Sequence, residues 1–226
     1  MKTFFMTGTD TDAGKTVASS LILKELNNLY HSTLALKPIS AGCEMTSAGL
    51  RNEDALTLQE AANIEIDYEL VNPIAFEPPI APHIAASNLG RSIELSDLQD
   101  SLEEAKKHQA SCILIEGAGG WRLPLNNNGL FLSDFVIQNQ IPVVLVVGMK
   151  LGCLNHAILT HQAILRDGLT CVGWVANQLS DDMLEYDQNK QSLIQILSSP
   201  LLAEIPFQPK DINQINLTEA FLKVFT

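Results

Sequence analysis

The feature that most restricts the fold is Gly8-Thr9-Asp10-Thr11-Asp12-Ala13-Gly14-Lys15-Thr16, set between an apolar run, Phe4-Phe5-Met6, and helical periodicity over residues 17–29. A strand, a glycine-bounded loop and a helix opening at Lys-Thr bring backbone N–H groups and a helix N-terminus together where anionic oxygens would sit. Such a cradle suits the phosphates of a nucleoside triphosphate. Gly8 and Gly14 permit close approaches that a β-carbon would block, Lys15 offers a point charge to the β- and γ-phosphates, and the Thr16 hydroxyl can ligate Mg²⁺. Five residues separate the two glycines, where the commonest pattern has four. The extra length puts Thr11 and Asp12 at the rim, where a second substrate could be held beside the terminal phosphate.

Charge narrows the function. Lysine and arginine total 14 against 26 aspartates and glutamates, a net charge of −12, which argues against a broad nucleic-acid-binding face. The 226 residues suit one large α/β domain spanning 1–226. Residues 1–6 enter a strand at once, without a basic lead or a cleavage site, so a protein that is not exported is expected. The longest apolar run, residues 141–149, contains a proline and falls well short of the ~20 residues of a membrane helix. Cys43, Cys112, Cys153 and Cys171 lack metal-like or disulfide spacing, which fits a reducing cytoplasm. Cys112 and Cys171 start apolar strands and read as core.

Residues 33–38 read as a strand closed by Pro38, so Lys37 falls at a strand's C-terminal end, the edge where open parallel sheets bind ligands. Residues 39–44 read as loop. Arg51-Asn52-Glu53-Asp54 leads into a helix through residue 63, and Asp54 is either a helix-start acid or a metal ligand. A proline-rich loop at 77–82 precedes a short helix from His83, a residue better suited to capping or packing than to catalysis, and an amphipathic helix over 95–108. Residues 112–116 form an apolar strand ending in Glu116, a carboxylate able to hold Mg²⁺ directly or through water. Gly117-Ala118-Gly119-Gly120, after the strand, would expose backbone N–H groups and leave room for a ligand, the plainer alternative being a flexible turn; an irregular excursion over 121–132 and a short helix over 133–138 follow.

The β-branched run at 142–148 has the composition of a strand buried on both faces. Lys150-Leu151-Gly152-Cys153-Leu154-Asn155-His156 carries the chain into a helix reaching 167 and is another potential anion site. Residues 170–177 make a strand ending in Asn177, an amide able either to read a purine edge or to start a turn. Helix is expected over 182–197, a last strand over 201–205, a loop over 206–209 and helix over 217–224. Strands alternating with helices predict a mainly parallel sheet with helices on both faces. Lys15, Lys37, Asp54, Glu116 and Asn177 would then share one edge.

These ordered blocks, from the phosphate loop through Lys37-Pro38, residues 51–56, 116–121 and 150–156 to Gly173-Trp174-Val175-Ala176-Asn177, resemble those of the dethiobiotin synthetase family of biotin biosynthesis. The match runs over nearly the whole chain and is least characteristic beyond Phe207. The resemblance implies a P-loop NTPase-like three-layer α/β sandwich and an ATP- and Mg²⁺-dependent cyclo-ligase joining 7,8-diaminononanoate and CO₂ into dethiobiotin, with release of ADP and phosphate. In that family an amine captures CO₂ as a carbamate and the carbamate oxygen attacks the γ-phosphate. The second amine then closes the ureido ring by expelling phosphate. Two anions must meet, which calls for cations between them.

On that resemblance Lys37, Lys15 and Thr11 are catalytic, and Thr16, Asp54 and Glu116 hold the metal. ATP is implied to lie against Asp12, Ala13, Gly14, Lys15, Thr16, Val17, Asp54 and Glu116, with Gly117, Ala118 and Gly119 offering N–H groups. Asn177, Gln178, Pro206, Phe207 and Gln208 are implied to frame adenine. Thr11, Lys37, Ser40 and Ala41 would contact the diamine, and Gly152, Cys153 and Asn155 would take its distal carboxylate across the two-fold interface of a homodimer. Many members carry serine where this chain has Ala41; here the hydroxyl sits one residue earlier, at Ser40.

Two other readings compete. Nucleotide-switched dimeric ATPases of the partition and cell-division type carry a lysine near the start of the phosphate loop, where this chain has Asp10. Amide-forming ligases of the cobyrinic acid type need a glutamine-hydrolysing domain, for which there is no room.

Overall fold

Successive strand residues point to opposite sides of a sheet, and here both sides are apolar, so the sheet has to be covered twice. A computed structural model describes residues 1–30, 32–209 and 214–225. The chain opens with β1 (Lys2–Gly8) and α1 (Lys15–Leu29), then β2 (Thr33–Leu36), β3 (Ile39–Ala41) and a hairpin of β4 (Glu44–Thr46) and β5 (Gly49–Arg51). Next come α2 (Glu53–Ala61), α3 (Tyr68–Val71), β6 (Ile74–Phe76), α4 (Pro82–Asn88) and α5 (Leu95–Lys106). The second half runs β7 (Cys112–Gly120), α6 (Leu132–Gln138), β8 (Val143–Met149), α7 (Cys153–Arg166), β9 (Cys171–Gln178), α8 (Tyr186–Ile196), β10 (Leu201–Ile205), β11 (Asn216–Leu217) and α9 (Glu219–Phe225).

The main sheet has seven strands in the order β11-β10-β9-β8-β1-β7-β2. Only β11 is antiparallel to its neighbour. Phe5, Ile113, Ile115, Val143 and Leu145 face one buried cluster with α5, α6, α7 and α8, while Phe4, Met6, Leu114, Val144 and Val146 face another with α1 and α9. The period-2 alternation of β1, β7 and β8 therefore builds both cores at once and gives three layers.

Cys112 and Cys171 are buried, as their strand positions suggest. Several local expectations need correction. Residues 39–44 are not all loop: β3 pairs with β6 in parallel, and β4 pairs with β5. These are three-residue strands, too short to show a period. The strand does not end at Glu116, because β7 continues through Gly117-Ala118-Gly119 to Gly120. Met6 pairs with Glu116 and Gly8 with Gly120, so three residues of β7 oppose Thr7 alone. That bulge leaves Gly117, Ala118 and Gly119 out of register with β1 at the edge where strands end. Strand β10 is not the last, since β11 follows it.

Candidate active site

Parallel pairing brings the C-terminal ends of β1, β2, β7, β8 and β9 to one edge, and the loop after β1 closes over that edge. Gly14 takes a left-handed conformation, φ 77°, at the N-cap of α1, and a β-carbon there would meet Asn177 Nδ2 at 2.0 Å. Only glycine satisfies both demands. Asn177, buried at the end of β9, donates from Nδ2 to the Ala13 carbonyl at 3.0 Å and so braces the loop from beneath. The far side is held by Asp10, which accepts from the Thr11 N–H at 2.8 Å and pairs with Lys150 at 3.2 Å. Those two partners keep its carboxyl below the usual range. The position where a switch ATPase has a lysine is thus a carboxylate that ties the phosphate loop to Lys150 after β8.

Lys15 is buried, with Nζ turned back to the carbonyls of Thr11 (3.1 Å) and Asp10 (3.4 Å). Burial, with the charge of Lys37 nearby, pushes its pKa down to about 8. An anion in the cradle would relieve both effects.

Lys37 leaves the end of β2 and is almost completely buried. Its Nζ lies 2.6 Å from Glu116 Oε1, 3.2 Å from Asp54 Oδ2 and 3.4 Å from the Gly117 carbonyl. Burial opposes its charge, but Glu116 and Asp54 outweigh burial and raise its pKa above 10.5. Asp54 likewise resists its partial burial, and Lys37 holds its carboxyl below the usual range. The cap of α2 is Asn52, whose side chain accepts from the Ala55 N–H at 3.2 Å. Asp54 sits in the first turn of that helix, free to face the lysine.

Glu116 falls on the α1 face of β7 and is wholly buried. Its Oε1 also accepts from the Thr16 hydroxyl at 2.8 Å, while Oε2 has no hydrogen-bond partner among the described residues. Two carboxylates and a hydroxyl, with one buried oxygen unpartnered, make a hard oxygen donor set of the kind that suits Mg²⁺ alongside phosphate and water. No group of three or more His, Cys, Asp and Glu is gathered among the described residues, so phosphate oxygens and water would have to complete the shell.

Lys15 and Lys37 open onto one cavity of about 440 Å³. Thr11, Asp54, Ala118 and Gly119 form its polar side, and Ala41, Pro79, Ile80, Pro82 and Leu123 its apolar side. Thr16 and Val17 face a neighbouring cavity of about 470 Å³ that extends to Pro209. Asp12 is exposed on the loop, Gln178 is half-buried at the end of β9, and Pro206 and Phe207 are half-buried beside Gln208. Ser40 lines the first cavity, but its hydroxyl donates to Asn72 Oδ1 at 2.7 Å and is buried. Gly152, Cys153 and Asn155 lie at the start of α7 and do not line that cavity. Sequence reasoning did not single out Asn52, Ile80 or Leu123, because a cavity wall carries no local pattern; only the density of prolines at 77–82 hints at a stiff loop.

A family model described as an AAA domain matches residues 2–214. The ATP-dependent dethiobiotin synthetase BioD of Aeromonas salmonicida is 52% identical over 207 residues, 92% of this chain and 91% of the relative. The chain belongs to the dethiobiotin synthetase family. A second relative, the ATP-dependent dethiobiotin synthetase BioD 1 of Escherichia coli O157:H7, is 46% identical over 91% of each chain. Among solved structures, the MinC:MinD cell division complex of Aquifex aeolicus gives a TM-score of 0.57 at 16% identity over 93% of this chain and 83% of that one. The cell division protein FtsY of Thermotoga maritima gives 0.55 at 13% over 99% and 68%. At such identities the likeness is one of fold, a P-loop NTPase-like α/β sandwich, while the synthetase relatives match in sequence along almost their whole length.

Proposed function

We propose that this chain, as one catalytic domain, converts 7,8-diaminononanoate, CO₂ and ATP into dethiobiotin, ADP and phosphate. The observation that carries the reading is the pair of buried ammonium groups, Lys15 and Lys37, opening on one cavity beside Glu116 and Asp54. A carbamate and a γ-phosphate repel each other, and fixed positive charge between them lowers the barrier to their meeting. Lys15 would bind the β- and γ-phosphates, Lys37 would take up charge on the reacting oxygens, and Thr11 would hydrogen-bond the carbamate. The bulged Gly117-Ala118-Gly119 backbone would supply N–H donors.

Thr16, Asp54 and Glu116 would hold Mg²⁺, which supplies electrostatic stabilisation of the transferring phosphoryl group when bound. The cavity beside Val17 reaches Pro209, which supports nucleotide running from the phosphate loop toward residues 206–208, and the Asn177 amide oxygen would accept from the adenine amino group. Ala41, Ile80 and Leu123 offer apolar surface for the alkyl chain of the diamine. Its distal carboxylate lies beyond that surface, and Gly152, Cys153 and Asn155 would receive it from a second copy, making the working unit a homodimer. Leu151, wholly exposed beside them, supports that assignment. The absence of a helix long and apolar enough to cross a membrane among the described residues is compatible with a cytoplasmic enzyme.

The test is phosphate release by purified protein with Mg²⁺ and ATP. Release is expected only when diamine and bicarbonate are both present. Robust turnover with neither would overturn the reading and favour a nucleotide-switched dimer.

A further inference from the structure

Pro38 ends the β2 ladder, so the Lys37 backbone leaves the sheet with its polar groups still to be satisfied. Both go to one short segment. The Lys37 N–H donates to the Val71 carbonyl at 2.8 Å, and the Lys37 carbonyl accepts from Asn72 Nδ2 at 2.6 Å. Asn72 is buried, and its Oδ1 is fully used: it accepts from Ser40 at 2.7 Å and from the Tyr68 hydroxyl at 3.1 Å. The same Tyr68 oxygen accepts the Asn52 N–H at 2.7 Å, and Asn52 is the cap of α2, two residues before Asp54. A continuous set of buried hydrogen bonds therefore joins the backbone of Lys37 to the start of the helix that presents Asp54.

We propose that Asn72 and Tyr68 are positioning residues for the reaction: they fix the Lys37 main chain against the α2 N-terminus, so that Nζ is held between Glu116 and Asp54. The inference rests on the ligase reading for its chemistry and on the hydrogen bonds for its geometry. Tyr68 is itself well anchored, with the Arg51 guanidinium 4.1 Å from its ring centroid and Arg51 paired to Glu69 at 3.0 Å. Burial raises its phenol pKa, so the hydroxyl remains a neutral donor to Asn72. A long side chain such as lysine has many rotamers, and holding its Cα and carbonyl is what converts a short ion pair into a fixed one. Neither residue touches the phosphate loop, so loss of the link should change turnover and spare nucleotide binding.

Tyr68→Phe removes the linking hydroxyl and keeps the ring under Arg51. Asn72→Asp keeps the acceptor and removes the donor to Lys37. Misplacement of a reacting group by about 1 Å costs on the order of a hundredfold, so kcat is expected to fall about ten- to a hundredfold in each variant. KM and Kd for ATP should stay within about twofold of wild type. The fall in kcat is measured per folded molecule, which a purely structural loss of stability would not move. In a Lys37→Arg background, Tyr68→Phe should cost little more, because both changes act on one group.

A kcat for folded Tyr68→Phe and Asn72→Asp within about twofold of wild type overturns the proposal, as does an equal loss of ATP affinity or full additivity with Lys37→Arg. Wild-type protein assayed alongside separates the two levels. No dethiobiotin from wild type would sink the ligase reading, whereas active wild type with fully active variants sinks only the positioning role.

Discussion

Replacing Glu116 with glutamine removes one charge, keeps the side chain's shape and leaves the Lys37 ammonium with Asp54 alone. Glu116 is wholly buried and lies 2.6 Å from Nζ, whereas Asp54 is 3.2 Å away with a side chain 46% exposed, so the better-shielded partner is the one lost. Breaking a buried ion pair from one side costs about 3–5 kcal/mol, because the remaining charge stays desolvated. The surviving Asp54 contact sets the expectation at the low end, about 3 kcal/mol. At this chain length that corresponds to a melting temperature lower by about 6–12 °C. Lys37→Met strands Glu116 in the same way and should cost a similar amount. Glu116→Gln with Lys37→Met removes both charges, so much of the loss should return. Urea unfolding followed by far-UV circular dichroism reads all four proteins, with equal m-values as the check on two-state behaviour. Single variants as stable as wild type, or a double variant whose losses simply add, would refute a lysine held as an ion pair in the folded protein.

Gly14→Ala forces a left-handed alanine, at about 1–2 kcal/mol, and drives its methyl into Asn177. ATP affinity by calorimetry should fall at least about tenfold, and unchanged affinity would remove Asn177 as the brace of the loop. His161 is buried on α7, its Nε2 2.8 Å from Ser199 Oγ, which in turn donates to the Cys171 carbonyl. Burial holds its pKa below the usual 6.5. The unfolded chain therefore takes up the proton first, so this contribution to stability is complete above 6.5 and is lost as pH falls through the folded value. His161→Gln should flatten the dependence of the urea midpoint on pH between about 7 and 5, and an unchanged slope would contradict a neutral imidazole in the fold.

The parts of this architecture legible in the sequence are those carried by periodicity and by loop chemistry. Residues 142–148 announce a doubly buried strand, and Gly14-Lys15-Thr16 after an apolar strand announces the cradle. Lys37 could be placed at the working edge because Pro38 must end the strand. The β3–β6 and β4–β5 pairs were not legible, since three residues carry no alternation that a loop could not also show. The bulge in β7 was missed because four small residues look alike as turn or strand; register with β1 decides between them. Ser40 stands as the other lesson: a hydroxyl beside the expected contact position is turned into a buried bond with Asn72, and only coordinates reveal which way it points.

The central claim is that two anions react between Lys15 and Lys37, with an oxygen of the carbamate attacking the γ-phosphate. Freshly dissolved CO₂ labelled with heavy oxygen, given with diamine, Mg²⁺ and ATP, tests it most directly. One labelled oxygen should pass into the released phosphate, because ring closure breaks the carbon–oxygen bond and leaves that oxygen on phosphorus. Dethiobiotin formed with label in its ureido carbonyl and none in phosphate would contradict the account.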